Sequence, residues 1–294
     1  MALINPMEFI KKAQETGVAI ASFNVHNLET IQAVMEGAQE ENAPVIIQTT
    51  PGTLKHAGIP YISAIVKAAA LLYDIPVALH VDHCSSFDTI MQCIRYGYTS
   101  VMIDTAHLPY EENVAMVKKV VEVAHSVGVA VEGELGKIGG VEDDLEVDEF
   151  SASFTVPSEA KDFASGTGID MLAVAIGTAH GEYKGKPNLD FERLTQIRKL
   201  VELPLVLHGA SGVFDEQIKE SLRRGISKVN IATELKIPMA EAIKEIFAAK
   251  PKENDPRNYM GAAKSAVKEV VKQKIRLCNS SGLADLIEDK AVKA

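Results

Sequence analysis

The 294-residue chain has no tryptophan, only three cysteines, and no apolar run long enough to span a membrane. Cys84, Cys93 and Cys278 are too few and too scattered for a disulfide framework or a four-thiolate zinc site. We interpret them as reduced thiols. The first residues lack the basic start and apolar core of a secretory signal. These absences predict a cytoplasmic protein with no membrane partner.

Basic residues are also scarce relative to acidic ones, and the formal net charge is -10. A nucleic-acid-binding protein normally needs a basic face, so this balance argues against nucleic acid as a partner. An anionic small substrate is still compatible with it, because backbone amides and a few Lys or Arg side chains act locally. Hydrophobic residues make up 47% of the chain, which is typical of a globular protein with a large core.

Short apolar runs alternate with longer helical patterns along the chain. Their nearly continuous hydrophobicity predicts strands buried on both faces, and the alternation predicts a parallel sheet. The predicted strands are Val18–Phe23, Pro44–Thr49, Val77–Val81, Ser100–Ile103, Val129–Gly133, Met171–Ile176, Leu203–His208 and Lys228–Ile231. Eight such units close a TIM (β/α)8 barrel. A doubly wound open sheet is the alternative, but the turn after the first strand lacks its glycine-rich fingerprint.

Helical patterns continue after the last predicted strand. They cover Glu234–Ala249 and Tyr259–Arg276, with the breaker-rich segment Pro251–Pro256 between them. No low-complexity tract or linker divides the chain. We therefore expect residues 1–294 to form one barrel domain, in which residues 250–294 are a C-terminal helical extension.

Three histidines stand at, or just past, the ends of predicted strands: His83, His180 and His208. The carboxyl ends of barrel strands converge on one face, which carries the active site. Three neutral imidazoles around an open position are typical of a catalytic zinc ion, whereas a lone histidine beside a strand is more often structural. Strand alternation would send Asp82 and His83 to opposite faces, so both reach the pocket only if the chain turns there.

Other strand ends carry polar side chains that an apolar barrel would not need. They are Asn24, Thr50, His80, Asp82, Asp104, Glu132, Glu134, Ser211 and Asn230. Small residues in His208–Gly212, and in Asn230–Thr233 before a helix, leave backbone N–H groups accessible to phosphate. A tight turn without a ligand is the alternative for the first segment.

The segment Glu132–Asp143 leaves the fifth predicted strand as a glycine-rich, acidic loop. Glycines on both sides favour a mobile lid, and Glu142 would act as a base once substrate excludes water. A solvated acidic loop without a catalytic role is the alternative.

Together these segments resemble the class II, metal-dependent ketose-bisphosphate aldolases, from Phe23-Asn24-Val25 through to Asp255-Pro256-Arg257. The resemblance implies that His83, His180 and His208 bind Zn²⁺, with Asp104 and Glu134 at an alternative metal position. It also implies that Asp82 protonates the aldehyde oxygen in condensation and that Glu142 takes a proton from dihydroxyacetone phosphate. The implied substrate and phosphate contacts are Asn24, Thr50, Gly181, Lys184, Gly209, Ser211, Asn230, Ala232, Thr233, Lys236 and Arg257.

The same resemblance implies the remaining partners. Arg257 would reach the second phosphate from a neighbouring subunit, which predicts a homodimer or homotetramer. A monovalent cation, Na⁺ or K⁺, would lie near the phosphate site, and an accessory barrel subunit would be a further partner. Ala232 stands where many fructose-bisphosphate members have aspartate, and the segment Asn230–Lys236 is closer to the tagatose branch. We therefore predict tagatose 1,6-bisphosphate first, then fructose 1,6-bisphosphate or another phosphorylated ketose.

Three rival functions remain on the residues alone. A metal-dependent hydrolase would use the same histidines to activate water. A Schiff-base aldolase would need a strand lysine, for which Lys228 is the one available, but it would leave the histidines without a role. A non-catalytic barrel that stabilises a partner would not need the histidines and Glu142.

Overall fold

The computed structural model describes residues 2–142, 145–147, 153–181, 183 and 185–288. Its strands are β1 (Ile20–Asn24), β2 (Val45–Thr49), β3 (Val77–Cys84), β4 (Ser100–Ile103), β5 (Ala130–Leu135), β6 (Gly139–Glu142), β7 (Leu145–Val147), β8 (Met171–Val174), β9 (Ala179–His180), β10 (Leu205–Leu207) and β11 (Ile226–Ile231). Eight of them form a closed parallel barrel in the order β1-β11-β10-β8-β5-β4-β3-β2. The predicted TIM barrel is therefore confirmed, and each predicted strand overlaps one barrel strand.

Helices surround the barrel in the alternating positions that the sequence predicts. They are α1 (Met7–Thr16), α2 (Leu28–Glu40), α3 (Pro51–Ala57), α4 (Ile59–Leu72), α5 (Phe87–Arg95), α6 (Tyr110–Ser126), α7 (Pro157–Thr167), α8 (Phe191–Leu200), α9 (Asp215–Arg223), α10 (Thr233–Ala249), α11 (Pro256–Leu277) and α12 (Asp285–Glu288). Among the described residues, no helix combines the length and apolarity needed to cross a bilayer.

Side-chain alternation along the strands separates two apolar regions. Residues such as Phe23 and Ile47 pack outward against the surrounding helices in the larger core. Residues on the opposite face of the same strands, such as Ile20 and Ile46, form a smaller core with Phe9 of α1. Helix α1 thus covers the amino-terminal end of the barrel. Its buried Met7, Phe9, Ile10 and Ala13 have helical spacing, a signal that the strand pattern alone did not use.

Above that small core the barrel interior is lined by polar side chains. This differs from the expectation that the strands carry apolar side chains on both faces. Ser22, Gln48, His80, Ser100, Glu132 and Lys228 are all fully buried. Ser22, Gln48 and His80, for example, lie two positions after Ile20, Ile46 and Ala78 of the small core, and therefore face the same side of their strands. Because buried polar groups need partners, this layer is held by hydrogen bonds and ion pairs between strands.

The C-terminal helices pack on the barrel of their own chain. Helix α11 lies along α2, where Lys264 pairs with Glu36, and Lys268 and Lys272 pair with Glu40. Buried Val267 and Val271 of α11 belong to the main core. Helix α11 is therefore held against α2 by ion pairs and by buried apolar side chains.

Candidate active site

The three strand-end histidines lie together at the carboxyl end of the barrel. The ring centroid of His83 is 4.7 Å from that of His180 and 4.6 Å from that of His208. One nitrogen from each ring lies within 4.8 Å of the other two, so a single ion can reach all three. Strands β3, β9 and β10 thus deliver the three side chains to one point, although their positions are distant in sequence.

His83 reaches this point because the backbone of β3 is irregular there. Its φ is +47°, in the left-handed region that non-glycine residues rarely adopt. The pairing of β3 with β4 shifts register between Val81 and Cys84. Such a bulge changes the face on which the next side chain lies, so Asp82 and His83 both face the pocket. The turn that the sequence required is therefore present.

Burial keeps the imidazoles in their metal-binding form. It lowers the pKa of His180 well below the usual histidine value, and the neighbouring His83 lowers it further. Burial followed by the charge of His83 lowers the pKa of His208 in the same way. A neutral imidazole has one nitrogen lone pair available to a metal, whereas an imidazolium has none.

A second group that could hold a metal joins His83 to Asp104 and Glu134. The Oδ2 atom of Asp104 is 2.8 Å from Nδ1 of His83. Burial is the largest influence and raises the pKa of Asp104, but the hydrogen bond with His83, the charge of His83 and the N–H of Ala106 together outweigh it and leave that pKa lowered. Burial, reinforced by the charge of Asp104, raises the pKa of Glu134 well above its usual value.

The donor set suits a metal ion. Among the described residues, the buried Nδ1 of His208 and Oε2 of Glu134 make no hydrogen bond, although they are 3.4 Å apart. Buried polar atoms are rarely left in that state unless another species satisfies them. Three imidazole nitrogens are ligands that Zn²⁺ accepts, with an open fourth position for substrate.

Asp82 lies beside the histidines in a cage of amides. Its Oδ2 accepts hydrogen bonds from Asn24 Nδ2 at 3.0 Å and Gln48 Nε2 at 3.1 Å. Its Oδ1 accepts one from Asn230 Nδ2 at 3.0 Å. Gln48 also donates to Asn24 Oδ1 and is held by Ser22. The carboxylate is thus fully buried and fixed in orientation by three different strands.

This cage changes the interpretation of two predicted substrate contacts. In the structure the amides of Asn24 and Asn230 are directed at Asp82. Gln48 was not predicted, although it occupies an inward position of β2 directly after the apolar run 45–47. A buried polar residue inside an apolar strand run is the signal that would have identified it.

The predicted phosphate loop His208–Gly212 lies close to a second loop, which follows β9 and contains Gly181. Gly209 has a φ of +61°, and a Cβ there would lie 2.6 Å from the carbonyl oxygen of Ala179. Tyr183 joins the two loops, because its hydroxyl accepts from Ala179 N at 2.9 Å and donates to Gly209 O at 2.8 Å. Ser211 is buried in the same loop, and Gly181 follows β9 with a φ of +81°. Tyr183 is a second residue that the sequence did not identify.

Other predicted contacts lie around the rim. Thr50 is the N-cap of α3, Ala232 is the N-cap of α10, and Thr233 is the first residue of that helix. Lys236, one turn later, lines a groove of about 240 Å³ with His26. Arg257 is the second residue of α11, and its exposed guanidinium pairs with Asp255 at 2.6 Å. Nothing in the described residues supports the expected monovalent cation.

The predicted lid is part of a small sheet in the order β7-β6-β9. Gly139 and Gly140 of β6 pair with Ala179 and His180 of β9. Glu142 is thus the last residue of β6, and the first residues of β6 pair with the strand that carries the predicted metal ligand His180. The position of the Glu142 side chain, and Lys184 as a whole, lie outside the described residues.

Comparisons with known proteins agree with this geometry. The family model described as fructose-bisphosphate aldolase class-II matches residues 4–283. The YdjI aldolase from Escherichia coli K12 is 34% identical with a TM-score of 0.85, over 96% of this chain and 99% of that one. A putative fructose-1,6-biphosphate aldolase from Coccidioides immitis is 28% identical with a TM-score of 0.89, over 96% and 98%. The fructose-bisphosphate aldolase of Campylobacter jejuni, at 23% identity, has the same fold with a TM-score of 0.80 over 96% and 97%.

Proposed function

Because the chain belongs to the class II fructose-bisphosphate aldolase family, we propose that it is an aldehyde-lyase acting on a ketohexose 1,6-bisphosphate. It cleaves the sugar reversibly into dihydroxyacetone phosphate and glyceraldehyde 3-phosphate. The observation that carries this proposal is the convergence of His83, His180 and His208 beside the caged carboxylate of Asp82. A metal site and a positioned acid then share one pocket.

His83, His180 and His208 would hold Zn²⁺, and Asp104 with Glu134 would offer the alternative position next to His83. When bound, zinc polarises the ketone and stabilises the negative charge that develops as the carbon–carbon bond breaks. The lowered pKa values of His180 and His208 keep their lone pairs available for that role near neutral pH.

Asp82 is the group we assign to proton transfer at the aldehyde oxygen. It takes the hydroxyl proton in cleavage and returns it in condensation, and the three amides keep its oxygens in place. Efficient proton transfer needs such a fixed geometry within hydrogen-bond distance of the substrate oxygen. Glu142 would move a proton to and from dihydroxyacetone phosphate from the β6 strand, which lies beside His180.

The loops at Gly181 and Gly209–Ser211 would bind one phosphate through backbone N–H groups, and Lys184 would add a cation. The start of α10 at Thr233 would contribute the favourable dipole of a helix N-terminus. The side chain of Arg257 is exposed at the surface. It could therefore contact the second phosphate of a substrate that is bound in a neighbouring subunit. We therefore propose that the protein forms at least a homodimer. We also propose that it acts in the cytoplasm.

The sugar preference rests on Ala232. This residue precedes α10 at the carboxyl end of the barrel, and its methyl group has no hydrogen-bonding capacity. An aspartate there would favour one orientation of a sugar hydroxyl, and tagatose and fructose bisphosphates differ only at C4. We propose tagatose 1,6-bisphosphate as the preferred substrate and fructose 1,6-bisphosphate as the second.

The test measures cleavage of both sugars by the purified protein in an assay that couples dihydroxyacetone phosphate release to NADH oxidation. Cleavage that is lost in Asp82→Asn and His83→Ala supports the aldolase proposal, since both residues lie in the pocket. Unchanged cleavage in His83→Ala would refute the metal site. A large kcat/KM preference for the fructose substrate would refute the tagatose assignment alone.

A further inference from the structure

A buried ion pair lies directly beneath the candidate metal centre and has no place in the proposed chemistry. Lys228 of β11 and Glu132 of β5 are fully buried, and Nζ of Lys228 is 2.8 Å from Oε2 of Glu132. The other oxygen of Glu132, Oε1, is 2.7 Å from Nε2 of His208. Lysine, glutamate and histidine therefore form a continuous chain that ends on a predicted metal ligand.

The surroundings of the pair restrict its charge state. Among the described residues, His80 also lies near the pair: its Nε2 is 3.8 Å from Oε2 of Glu132, and its Nδ1 is 2.5 Å from Ser100 Oγ. Burial and then the charge of Lys228 lower the pKa of His80 well below its usual value, so His80 brings no charge. A fully buried ammonium needs an anionic partner, and Glu132 is the carboxylate in contact with it.

An ionised carboxylate only accepts hydrogen bonds. Glu132 therefore accepts from Lys228 on one oxygen, and from His208 on the other, at the distances found. A metal-bound histidine uses one ring nitrogen for the metal and donates the N–H of the other, and here Nε2 is the atom that lies 2.7 Å from Glu132 Oε1. The lone pair of His208 is then on Nδ1, the atom that is 3.4 Å from Glu134 Oε2 on the pocket side.

We propose that Lys228 and Glu132 are positioning residues that hold His208 in the Nε2–H tautomer, with the Nδ1 lone pair presented to the metal. Glu132 acts directly on the ring, and Lys228 acts through Glu132 by keeping it an acceptor. This inference rests on the proposed metal site. It also gives Lys228 a role other than the Schiff base considered from sequence, because a fully buried, ion-paired lysine has no access to the substrate carbonyl.

The first experiment reads the tautomer in the wild-type chain. Zinc-free protein labelled with ¹⁵N-histidine is examined by long-range ¹H–¹⁵N correlation, and the His208 signals are assigned by their absence in His208→Ala. We expect a protonated Nε2 and an unprotonated Nδ1 in the wild type. A proton on Nδ1 overturns the inference, and because no variant of the pair is needed, the result does not depend on how such variants fold.

The second experiment measures zinc affinity by competition with a chromophoric chelator. Loss of outer partners of a metal-bound histidine typically weakens affinity by roughly 10–100-fold, and we expect a loss of that size in Lys228→Met. The matched control is Lys219→Met, an exposed lysine of α9 paired with Glu216, which should leave affinity unchanged. Wild-type affinity in Lys228→Met would also overturn the inference.

A double variant separates positioning from simple loss of packing. In Lys228→Met/Glu132→Gln no buried charge is left unpaired, and the amide oxygen of glutamine still accepts from Nε2–H. We expect it to recover part of the zinc affinity lost in Lys228→Met. Losses that multiply instead would refute coupling through Glu132. A wild-type chain that binds no zinc would refute the proposed function, whereas zinc binding with an Nδ1–H tautomer would refute this inference alone.

Discussion

Acidification should destabilise the zinc-free protein steeply, because three buried histidines resist protonation in the folded state. Burial lowers the pKa of His80, His180 and His208 well below the usual value of 6.5. In the unfolded chain the same imidazoles bind protons below about pH 6.5. The free energy of unfolding is therefore fully retained above about pH 6.5, and it decreases as the pH falls below that value.

One carboxyl group acts in the opposite direction. The raised pKa of Glu134 means that the folded state holds a proton that the unfolded chain releases above its ordinary value of 4.5. The lowered pKa of Asp104 matters only near and below its ordinary value of 3.8. Near pH 5.5 three protons bind on unfolding and one is released, a net uptake of about two, or roughly 3 kcal/mol of unfolding free energy per pH unit.

Urea unfolding in the presence of a chelator, between about pH 7 and pH 5, measures this slope. His80→Gln, which removes one of the three imidazoles without touching a predicted metal ligand, should reduce the slope by about one proton. An unfolding free energy that stays constant or rises on acidification would refute the reasoning.

Three further predictions concern the site. Chelation should abolish aldol cleavage and added zinc should restore it, as measured in the coupled assay; activity that persists in the metal-free protein would contradict the metal site. Gly209→Ala should lower both thermal stability and kcat/KM, because its Cβ would meet the backbone of Ala179 at a φ of +61°; Gly166→Ala, with open space around it, is the control, and equal effects would contradict the close approach. Gln48→Leu should lower kcat by roughly 10-fold or more by loosening Asp82, with zinc affinity retained; a normal kcat would show that two amides suffice.

Much of the fold was predictable because it depends on local patterns. Apolar runs of strand length, separated by helical periods, indicated eight βα units, and closure into a barrel follows from that count. Position at a strand end then predicted where His83, His180 and His208 would meet. The rule that parallel strands end at the same face predicts their convergence, although His83 also requires the bulge in β3 and His180 lies on the separate strand β9.

Other features were not predictable, because they depend on pairs of residues distant in sequence. The bulge at His83, the contact of Glu132 with both His208 and Lys228, and the cage around Asp82 each require knowledge of which strands are neighbours and in what register. Helix α1 precedes the first strand, so the alternation of strands and helices does not predict it.

The sequence by itself determined the alternating architecture, the three metal-ligand candidates and the glycine-rich loops, since each is written in residue type and spacing. Only the tertiary structure decided which polar strand residues face inward, and which partners they find there. The physical reason is that strand alternation assigns a side chain to a face, whereas hydrogen bonds and ion pairs inside the barrel depend on register between strands. Lys228 illustrates the difference: its sequence position allowed a catalytic amine, and its contact with Glu132 makes it the buried partner of a carboxylate.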